Sequence, residues 1–207
     1  MKAVILADGR KPEGDRFRHS LSEGSLFIAA DGGANWAREQ RLIPDLIVGD
    51  LDSYQPVPEE MDRVIHLLDQ ETNDMEKALG LALEKGATEA EIFGALGGRP
   101  DHSLKNLSVL KRYNDQFSGK LKIIDPHGEL WLMPRFCRLN LPVGTGLSLY
   151  PLSGRVEGIT TRGLKYPLSS EALEVGVRDG TSNVTSEPEV IITHKSGDLL
   201  LMILNTA

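Results

Sequence analysis

The sequence predicts an α/β domain with a mainly parallel sheet over residues 1–126 and an all-β sandwich domain over residues 127–207. In the first part, short apolar runs without polar alternation are separated by amphipathic segments, as in strands buried between helices. After Asp125, the apolar runs are separated by Gly, Pro and Ser, and no convincing amphipathic helix lies between them. This second pattern is typical of a β-sandwich or an open barrel.

The first domain is predicted to contain six strands, with helical segments between several of them. The strands are Ala3–Ala7, Leu26–Ala30, Leu46–Val48, Val64–Leu67, Ile92–Phe93 and Lys120–Ile124. The clearer helix, Asp74–Lys85, has apolar residues at i, i+3, i+4, i+7 and i+8, with Asn73 as a cap and Gly86 after its end. A second helix is predicted from about His102 to Tyr113. Its inward-facing residues are expected to be Leu104, Leu107 and Leu110.

The second domain is predicted to consist of short strands. They are Leu130–Met133, Cys137–Leu141, Leu147–Leu152, Val156–Thr161, Val190–His194 and Leu199–Leu204. Ile191–Lys195 and Leu199–Leu204 flank Ser196-Gly197-Asp198, which suggests a hairpin. Ser170–Val175 is predicted to form a turn of helix.

Composition excludes several classes of protein. The 207 residues carry a formal net charge of -7 and lack the basic surface that nucleic-acid binding needs. No apolar run is long enough for a membrane helix, and the N-terminal apolar segment is too short for a signal peptide. The single cysteine, Cys137, suits a reducing compartment such as the cytoplasm, and a closed zinc site is not expected.

Carboxylates follow nearly every strand of the predicted parallel sheet. The strand-end segments are Asp8, Asp31–Asn35, Gly49–Ser53, Asp69–Asp74 and Gly94–His102. In open parallel sheets, ligands bind at the carboxyl ends of the strands, where these loops gather. The sequence therefore predicts an acidic crevice lined with glycine.

Asp50, Asp52 and Asp74 are the predicted ligands of a divalent cation. Asp50 and Asp52 are two residues apart, so an extended chain would point both side chains the same way. Mg²⁺ takes carboxylate oxygens and keeps water and substrate phosphates as further ligands. An isolated pair of this kind is usually just solvated, and Asp74 also favours the helix dipole electrostatically. Their shared position at strand ends favours the metal interpretation.

Several other residues at these strand ends suit phosphate. Asp31-Gly32-Gly33 could present backbone N–H groups, or could form only a tight turn. Arg99 has a planar donor fork that matches phosphate oxygens. His102 and Asn106 are one helical turn apart and share a face. A P-loop, a dinucleotide-binding glycine motif and a hydrolase nucleophile elbow are all absent from the sequence.

Taken in order, these segments resemble the thiamine pyrophosphokinase family. The matching segments are Asp31–Asn35, Gly49–Ser53, Asn73-Asp74, Glu76–Leu79, Gly94–His102, Asn106-Leu107, Leu147–Leu152, Gly163–Leu168 and Ser182-Asn183. The resemblance covers nearly the whole chain. Relatives commonly have Asp in place of Glu71 and Thr in place of Asn73. Many bacterial relatives have Glu in place of Val184, and relatives often have Trp in place of Tyr166.

The resemblance implies a homodimer with active sites formed between subunits. It implies Mg²⁺ at Asp50, Asp52 and Asp74, and thiamine at Tyr166, Ser182 and Asn183, the latter two from the partner subunit. ATP contacts are implied around Asp31, Gly32, Gly33, Gln70, Asn73, Arg99, Asp101, His102 and Asn106. The first domain would bind nucleotide and metal, and the second would bind thiamine and form the dimer.

The implied reaction transfers the diphosphoryl group of ATP to the hydroxyl of thiamine and releases AMP. Asp101 is the candidate for orienting that hydroxyl or accepting its proton. Two other functions remain open at this point: a pyrophosphokinase for another alcohol, such as a hydroxymethylpterin, and a non-catalytic module that binds nucleotide or thiamine. A structural dimer whose acidic loops are merely solvated is a third alternative.

Overall fold

A computed structural model describes residues 1–13 and 15–205 of the chain. The chain divides into two compact units, one from Met1 to Pro126 and one from His127 onward. The first combines helices with a parallel sheet and the second is built from antiparallel strands, which confirms the predicted fold class.

The first unit contains a parallel sheet of six strands in the order β6-β5-β1-β2-β3-β4. The strands are β1 (Lys2–Leu6), β2 (Leu26–Ala30), β3 (Leu46–Gly49), β4 (Val64–His66), β5 (Glu89–Phe93) and β6 (Leu121–Asp125). All six predicted strands are present. Strand β5 starts three residues earlier than predicted. The prediction missed this start because Glu89 and Glu91 interrupt the apolar run. Glu91 forms an ion pair with Lys2 of β1 at 3.2 Å.

Four α-helices and one 3₁₀ helix connect these strands. They are α1 (Arg16–Ser20), α2 (Gly33–Glu39), α3 (Asp74–Glu84), α4 (Pro100–Asn114) and the 3₁₀ helix Pro58–Arg63. As predicted, Asn73 caps α3, and its side chain accepts a hydrogen bond from the Glu76 N–H at 2.9 Å. The Glu76 carboxylate is buried against α4, where Arg112 and Lys105 bond to it and tie the two helices together.

Helix α4 differs from the prediction in its extent and in its buried face. It begins at Pro100, since proline is favoured in the first helical turn. Leu104 was expected to face inward but is 70% exposed, and Leu107 is only partly buried. The buried residues are Asn106, Val109 and Leu110. The spacing of the leucines predicted the wrong buried face for α4, because a polar residue, Asn106, occupies the inward face and is hydrogen-bonded there.

The second unit contains two antiparallel sheets, in the orders β12-β9-β14-β7 and β11-β10-β13-β8. The strands are β7 (Gly128–Leu132), β8 (Phe136–Asn140), β9 (Gly146–Pro151), β10 (Arg155–Arg162), β11 (Glu171–Glu174), β12 (Gly180–Val184), β13 (Glu189–Thr193) and β14 (Leu199–Leu204). Apolar residues from both sheets form one buried cluster. It includes Leu147, Leu149, Val156, Ile159, Leu173, Val190, Ile192, Leu199 and Leu201. This arrangement is the predicted β-sandwich.

Two local predictions for the second unit are wrong, and one strand was missed. Residues 170–175 contain strand β11, paired with β10, rather than a helical turn. The expected hairpin does not form, because β13 pairs with β8 and β10 whereas β14 pairs with β7 and β9. The connection at Ser196–Asp198 passes between the sheets and is held by backbone bonds from Glu157 and Leu152. Strand β12 escaped prediction because Val184 is its only apolar residue.

Candidate functional site

A cavity of about 550 Å³ lies at the carboxyl ends of the parallel strands in the first unit. Its walls are the segments that follow β1, β2, β3, β4 and β5, together with the first turns of α3 and α4. Gly94 directly follows strand β5; its φ is +67°, and a Cβ atom there would lie only 2.3 Å from the Ala7 carbonyl oxygen. Glycine therefore allows the segments after β1 and β5 to approach closely beneath the cavity.

Three carboxylates converge in this cavity. Asp31, Asp50 and Asp74 each offer one oxygen, and these oxygens lie within 4.8 Å of one another. The Asp50 backbone N–H donates to Asp74 Oδ1 at 3.2 Å, which joins the loop after β3 to the start of α3. Three hard oxygen donors from three separate loops form a set that suits a small divalent cation.

Asp31 also anchors the neighbouring loop. Its backbone is in the left-handed region, with φ of +45°, and its N–H donates to the Val48 carbonyl at 2.9 Å. The buried carboxylate accepts hydrogen bonds from the backbone N–H groups of Ser53 at 3.3 Å and Tyr54 at 3.0 Å. Burial raises the pKa of Asp31, and the negative charge of Asp74 raises it further, while backbone N–H donors partly oppose the rise.

Asp52 lines the cavity but is not part of the three-carboxylate group. Leu51 has a φ of +65°, so the chain between Asp50 and Asp52 is not extended. The extended geometry that was expected to point both side chains the same way is therefore absent. The exposed Asp52 carboxylate instead accepts a hydrogen bond from Ser53 Oγ at 3.0 Å. The Asp52 N–H donates to Asp50 Oδ1 at 3.4 Å. Its assignment as a metal ligand stays a prediction.

A chain of amide side chains links three walls of the cavity. Asn73 Nδ2 donates to Asn106 Oδ1 at 2.7 Å, and Asn106 Nδ2 donates to the Ala95 carbonyl at 2.7 Å. Asn106 thus fixes α4 against both the N-cap of α3 and the segment after β5. His102 is exposed at the cavity wall, one turn earlier on the same helix.

Of the remaining residues predicted to contact the nucleotide, some line the cavity and others lie outside its lining. Arg99 and Gln70 line the cavity, and both are exposed. Asp101 is outside the described lining and pairs with Arg99 at 2.6 Å. The Arg99 guanidinium lowers the pKa of Asp101. Gly32 and Gly33 are also outside that lining; they are buried, and a Cβ atom on Gly33 would lie 2.2 Å from the Leu6 carbonyl oxygen.

In the second unit, the three predicted thiamine contacts lie on adjoining segments. The Asn183 side chain accepts from the Tyr166 N–H at 3.1 Å and donates to the Tyr166 carbonyl at 2.7 Å. Ser182 has a φ of +60°, and its N–H donates to Ser148 Oγ at 3.1 Å. The Tyr166 ring is 59% exposed, with the Lys165 ammonium 5.4 Å from its centroid.

Two residues of the site were not identified as such from the sequence. Lys77 lines the cavity with its side chain only 3% exposed, and its Nζ lies 3.1 Å from Asp74 Oδ1. The i, i+3 spacing of Asp74 and Lys77 on a predicted helix would have indicated this ion pair. Asn35 bonds to the backbone on both sides of Tyr54, and no local sequence signal indicates those long-range contacts.

The fold and the cavity together define a protein with an α/β unit that carries an acidic pocket, followed along the chain by a β-sandwich unit. The family model described as thiamin pyrophosphokinase, catalytic domain, matches residues 17–123. The model for the thiamin pyrophosphokinase vitamin B1 binding domain matches residues 137–199. The chain belongs to the thiamine pyrophosphokinase family, which confirms the resemblance found in the sequence.

Individual relatives agree with this family. The chain is 30% identical over 223 residues to thiamine pyrophosphokinase 1 of Arabidopsis thaliana, covering 91% of this chain and 81% of the relative. It is 28% identical over 234 residues to thiamine pyrophosphokinase 1 of Oryza sativa subsp. japonica, covering 97% and 86%. The crystal structure of thiamine pyrophosphokinase from Bacillus subtilis has the same fold, with a TM-score of 0.85 and 24% identity over the whole of both chains.

The raised pKa of Asp31 predicts a pH dependence of stability. Between its ordinary value of 3.8 and the raised value in the folded protein, the folded state binds more protons than the unfolded state. The free energy of unfolding of the wild type should therefore fall, relative to that of Asp31→Asn, as pH rises through this window. Urea unfolding of both proteins in EDTA at a series of pH values measures the difference. If the free energy of unfolding of the wild type instead rose relative to that of Asp31→Asn with rising pH, the raised pKa of Asp31 would be contradicted.

Proposed function

We propose that this protein is a thiamine diphosphokinase, which transfers the diphosphoryl group of ATP to the hydroxyl of thiamine and releases thiamine diphosphate and AMP. The observation that carries the proposal is the group formed by Asp31, Asp50 and Asp74 in the cavity of a chain of this family. The names of the relatives favour thiamine over a hydroxymethylpterin as the acceptor. A diphosphotransferase also gives a reason for placing mutually repelling charges together, which simple binding does not require.

Mg²⁺ fits the residues that surround the cavity. All the candidate ligands are carboxylate oxygens, and those of Asp31, Asp50 and Asp74 are close enough together to share one ion. Asp50, Asp52 and Asp74 would hold it, with Asp31 beside them. When bound, Mg²⁺ would neutralise charge on the phosphate oxygens of ATP. We therefore expect that the activity of this protein depends on the ion.

The side chains of the protein would position the reactants rather than react themselves. The thiamine hydroxyl oxygen forms a bond to the β-phosphorus, and the bond from that phosphorus to the oxygen bridging to the α-phosphorus breaks. AMP leaves with that oxygen. The buried Lys77 ammonium would hold Asp74 in place and offset charge in the cavity. Arg99 offers a donor fork to phosphate oxygens, with Gln70, Asn73, His102 and Asn106 also on the wall.

Asp101 would orient the thiamine hydroxyl or accept its proton. Its pairing with Arg99 keeps it ionised, because a nearby cation favours the carboxylate form. A carboxylate with a lowered pKa is a weak base, so this pairing favours the orienting role. The proton would then pass to Asp101 only as the new bond to phosphorus forms.

The two units would divide the substrates between them. The first unit, residues 1–126, would bind ATP and the metal, with the turn at Asp31, Gly32 and Gly33 supporting the nucleotide. The second unit, residues 127–207, would bind thiamine through Tyr166, Ser182 and Asn183. The family resemblance supports a homodimer with active sites at the subunit interface. No described helix has the length and apolar content that crossing a membrane requires. The single cysteine supports a cytoplasmic location.

The first test of this function uses Mg·ATP and thiamine and measures AMP. Asp50→Asn and Asp52→Asn should each reduce turnover by roughly 100-fold or more, because each removes charge that holds the cation. Asp62→Asn is the matched control, since Asp62 is an exposed carboxylate in the 3₁₀ helix, and it should keep wild-type turnover. EDTA should abolish AMP formation by the wild type.

Other outcomes of this assay would overturn the proposal in different ways. Release of ADP would mean transfer of the γ-phosphoryl group alone. Turnover with a hydroxymethylpterin that thiamine only inhibits would identify a different acceptor. Tight binding of thiamine and ATP without AMP would identify a binding module. A folded Asp52→Asn variant with full activity would remove Asp52 from the metal site.

Asn183 gives a test that is confined to the thiamine site. Asn183→Ala removes both side-chain bonds to the Tyr166 backbone, so the segment that carries the exposed ring should lose its fixed position. The KM for thiamine should rise roughly tenfold, as expected when the bonds to the Tyr166 backbone and the bond accepted from the Val184 N–H are lost, while the KM for ATP changes little. Thr181→Ala, on the same strand, loses only a bond to Asp179 and serves as the control. Equal changes in both KM values would argue against a thiamine-specific role.

A further inference from the structure

The loop that carries Asp50 and Asp52 is attached at both of its ends. At its start, β3 ends at Gly49 within the parallel sheet. Past Asp52, residues 53–55 are held by side chains that follow β2, namely Asp31 and Asn35. The position of the two carboxylates therefore depends on how firmly the second attachment is made.

Asn35 uses both polar groups of its side chain on this loop. Its Nδ2 donates to the Ser53 carbonyl at 2.8 Å, and its Oδ1 accepts from the Gln55 N–H at 2.9 Å. The amide thus bonds to the backbone on both sides of Tyr54, as a neighbouring strand would. Asn35 is itself fixed in the first turn of α2, where its own N–H donates to the Gly32 carbonyl at 3.1 Å.

The loop needs such an attachment because its conformation is strained. Leu51, between the two carboxylates, has a φ of +65°. A non-glycine residue in the left-handed region is disfavoured, because its Cβ atom comes too close to the following carbonyl oxygen. Strain of this kind persists only where the surrounding structure holds it in place. The hydrogen bonds to residues 53–55 are the contacts that restrict the chain immediately after Asp52.

The next contacts along α2 hold a different part of the chain. Arg38 Nη2 donates to the Gln55 carbonyl at 2.7 Å and pairs with the Glu60 carboxylate at 2.7 Å. Glu60 in turn accepts from the Tyr54 hydroxyl at 2.8 Å. This second set secures the path toward the 3₁₀ helix. Loss of Asn35 would therefore leave the chain next to Asp52 with its bonds to Asp31 but without those at the Ser53 carbonyl and the Gln55 N–H, while the remainder stays attached.

We infer that Asn35 is a positioning residue for the metal site, which holds the loop of Asp50 and Asp52 in the conformation that binds the cation. The inference rests on the proposed function, because it takes these carboxylates to be metal ligands. Asn35 does not line the cavity and would act only through the Ser53 and Gln55 backbone.

The test compares Asn35→Ala with Gln40→Ala, which removes an exposed amide side chain just past the end of the same helix. Amide hydrogen exchange in the metal-free proteins reports protection of Gln55, and Mn²⁺ binding followed by water proton relaxation reports affinity for the cation. For Asn35→Ala we expect protection of Gln55 and affinity for Mn²⁺ each to fall roughly tenfold, since two hydrogen bonds are lost. The Mg²⁺ concentration needed for half-maximal AMP formation should rise by a similar factor. Gln40→Ala should match the wild type in all three.

Asn35→Asp is a second variant, for which we expect an intermediate effect on the affinity for Mn²⁺. Aspartate keeps an acceptor for the Gln55 N–H but places an oxygen against the Ser53 carbonyl, so affinity for Mn²⁺ should lie between those of the wild type and Asn35→Ala. This variant also serves if Asn35→Ala does not fold.

The inference would be overturned if both Asn35 variants bound Mn²⁺ as the wild type does, or if they lowered only the melting temperature. If the wild type makes no AMP while Asn35→Ala still loses protection of Gln55 and affinity for Mn²⁺, the proposed reaction fails and the positioning role stands.

Discussion

The mutual repulsion of Asp31, Asp50 and Asp74 is the constraint on which the site depends. Three carboxylate oxygens within 4.8 Å of one another are unfavourable unless a positive charge or hydrogen-bond donors offset them. The protein supplies part of this compensation through the Lys77 ammonium on Asp74 and the backbone N–H groups that point at Asp31. Burial still raises the pKa of Asp31, and the negative charge of Asp74 adds to the rise. A divalent cation, as proposed, would offset the remaining negative charge.

The parallel sheet brings these charges together, and side-chain bonds to backbone keep them there. Each carboxylate follows a different strand, so the alignment of strand ends determines their approach. Side-chain amides then secure the loops: the buried Asn106 bridges Asn73 and the Ala95 carbonyl, and Asn35 bridges two backbone groups beyond Asp52. Bonds of this kind fix a loop without using apolar contact, which leaves the cavity polar and open to a charged substrate.

The sequence predicted the parts of this structure that depend on local pattern. Continuous apolar runs revealed all six strands of the first unit, and Asn73 was correctly identified as the cap of α3. Predictions failed where long-range contacts override the local pattern. Asn106, hydrogen-bonded to other segments, takes the inward face of α4 that leucines were expected to occupy, and the polar strand β12 is recognisable only through its pairing with β9. The same limit applies to the site: strand ends indicated the acidic cavity, whereas the left-handed Leu51 and the contacts of Asn35 follow from the tertiary fold.

The clustered carboxylates are proposed to hold a divalent cation against the phosphates of a nucleotide. A crystal soaked with a nonhydrolysable ATP analogue, Mg²⁺ and thiamine tests it most directly. We expect Mg²⁺ bound to Asp50 and Asp74, with phosphate oxygens of the analogue among its other ligands. An analogue bound elsewhere, or bound in this cavity without any cation on the aspartates, would contradict it.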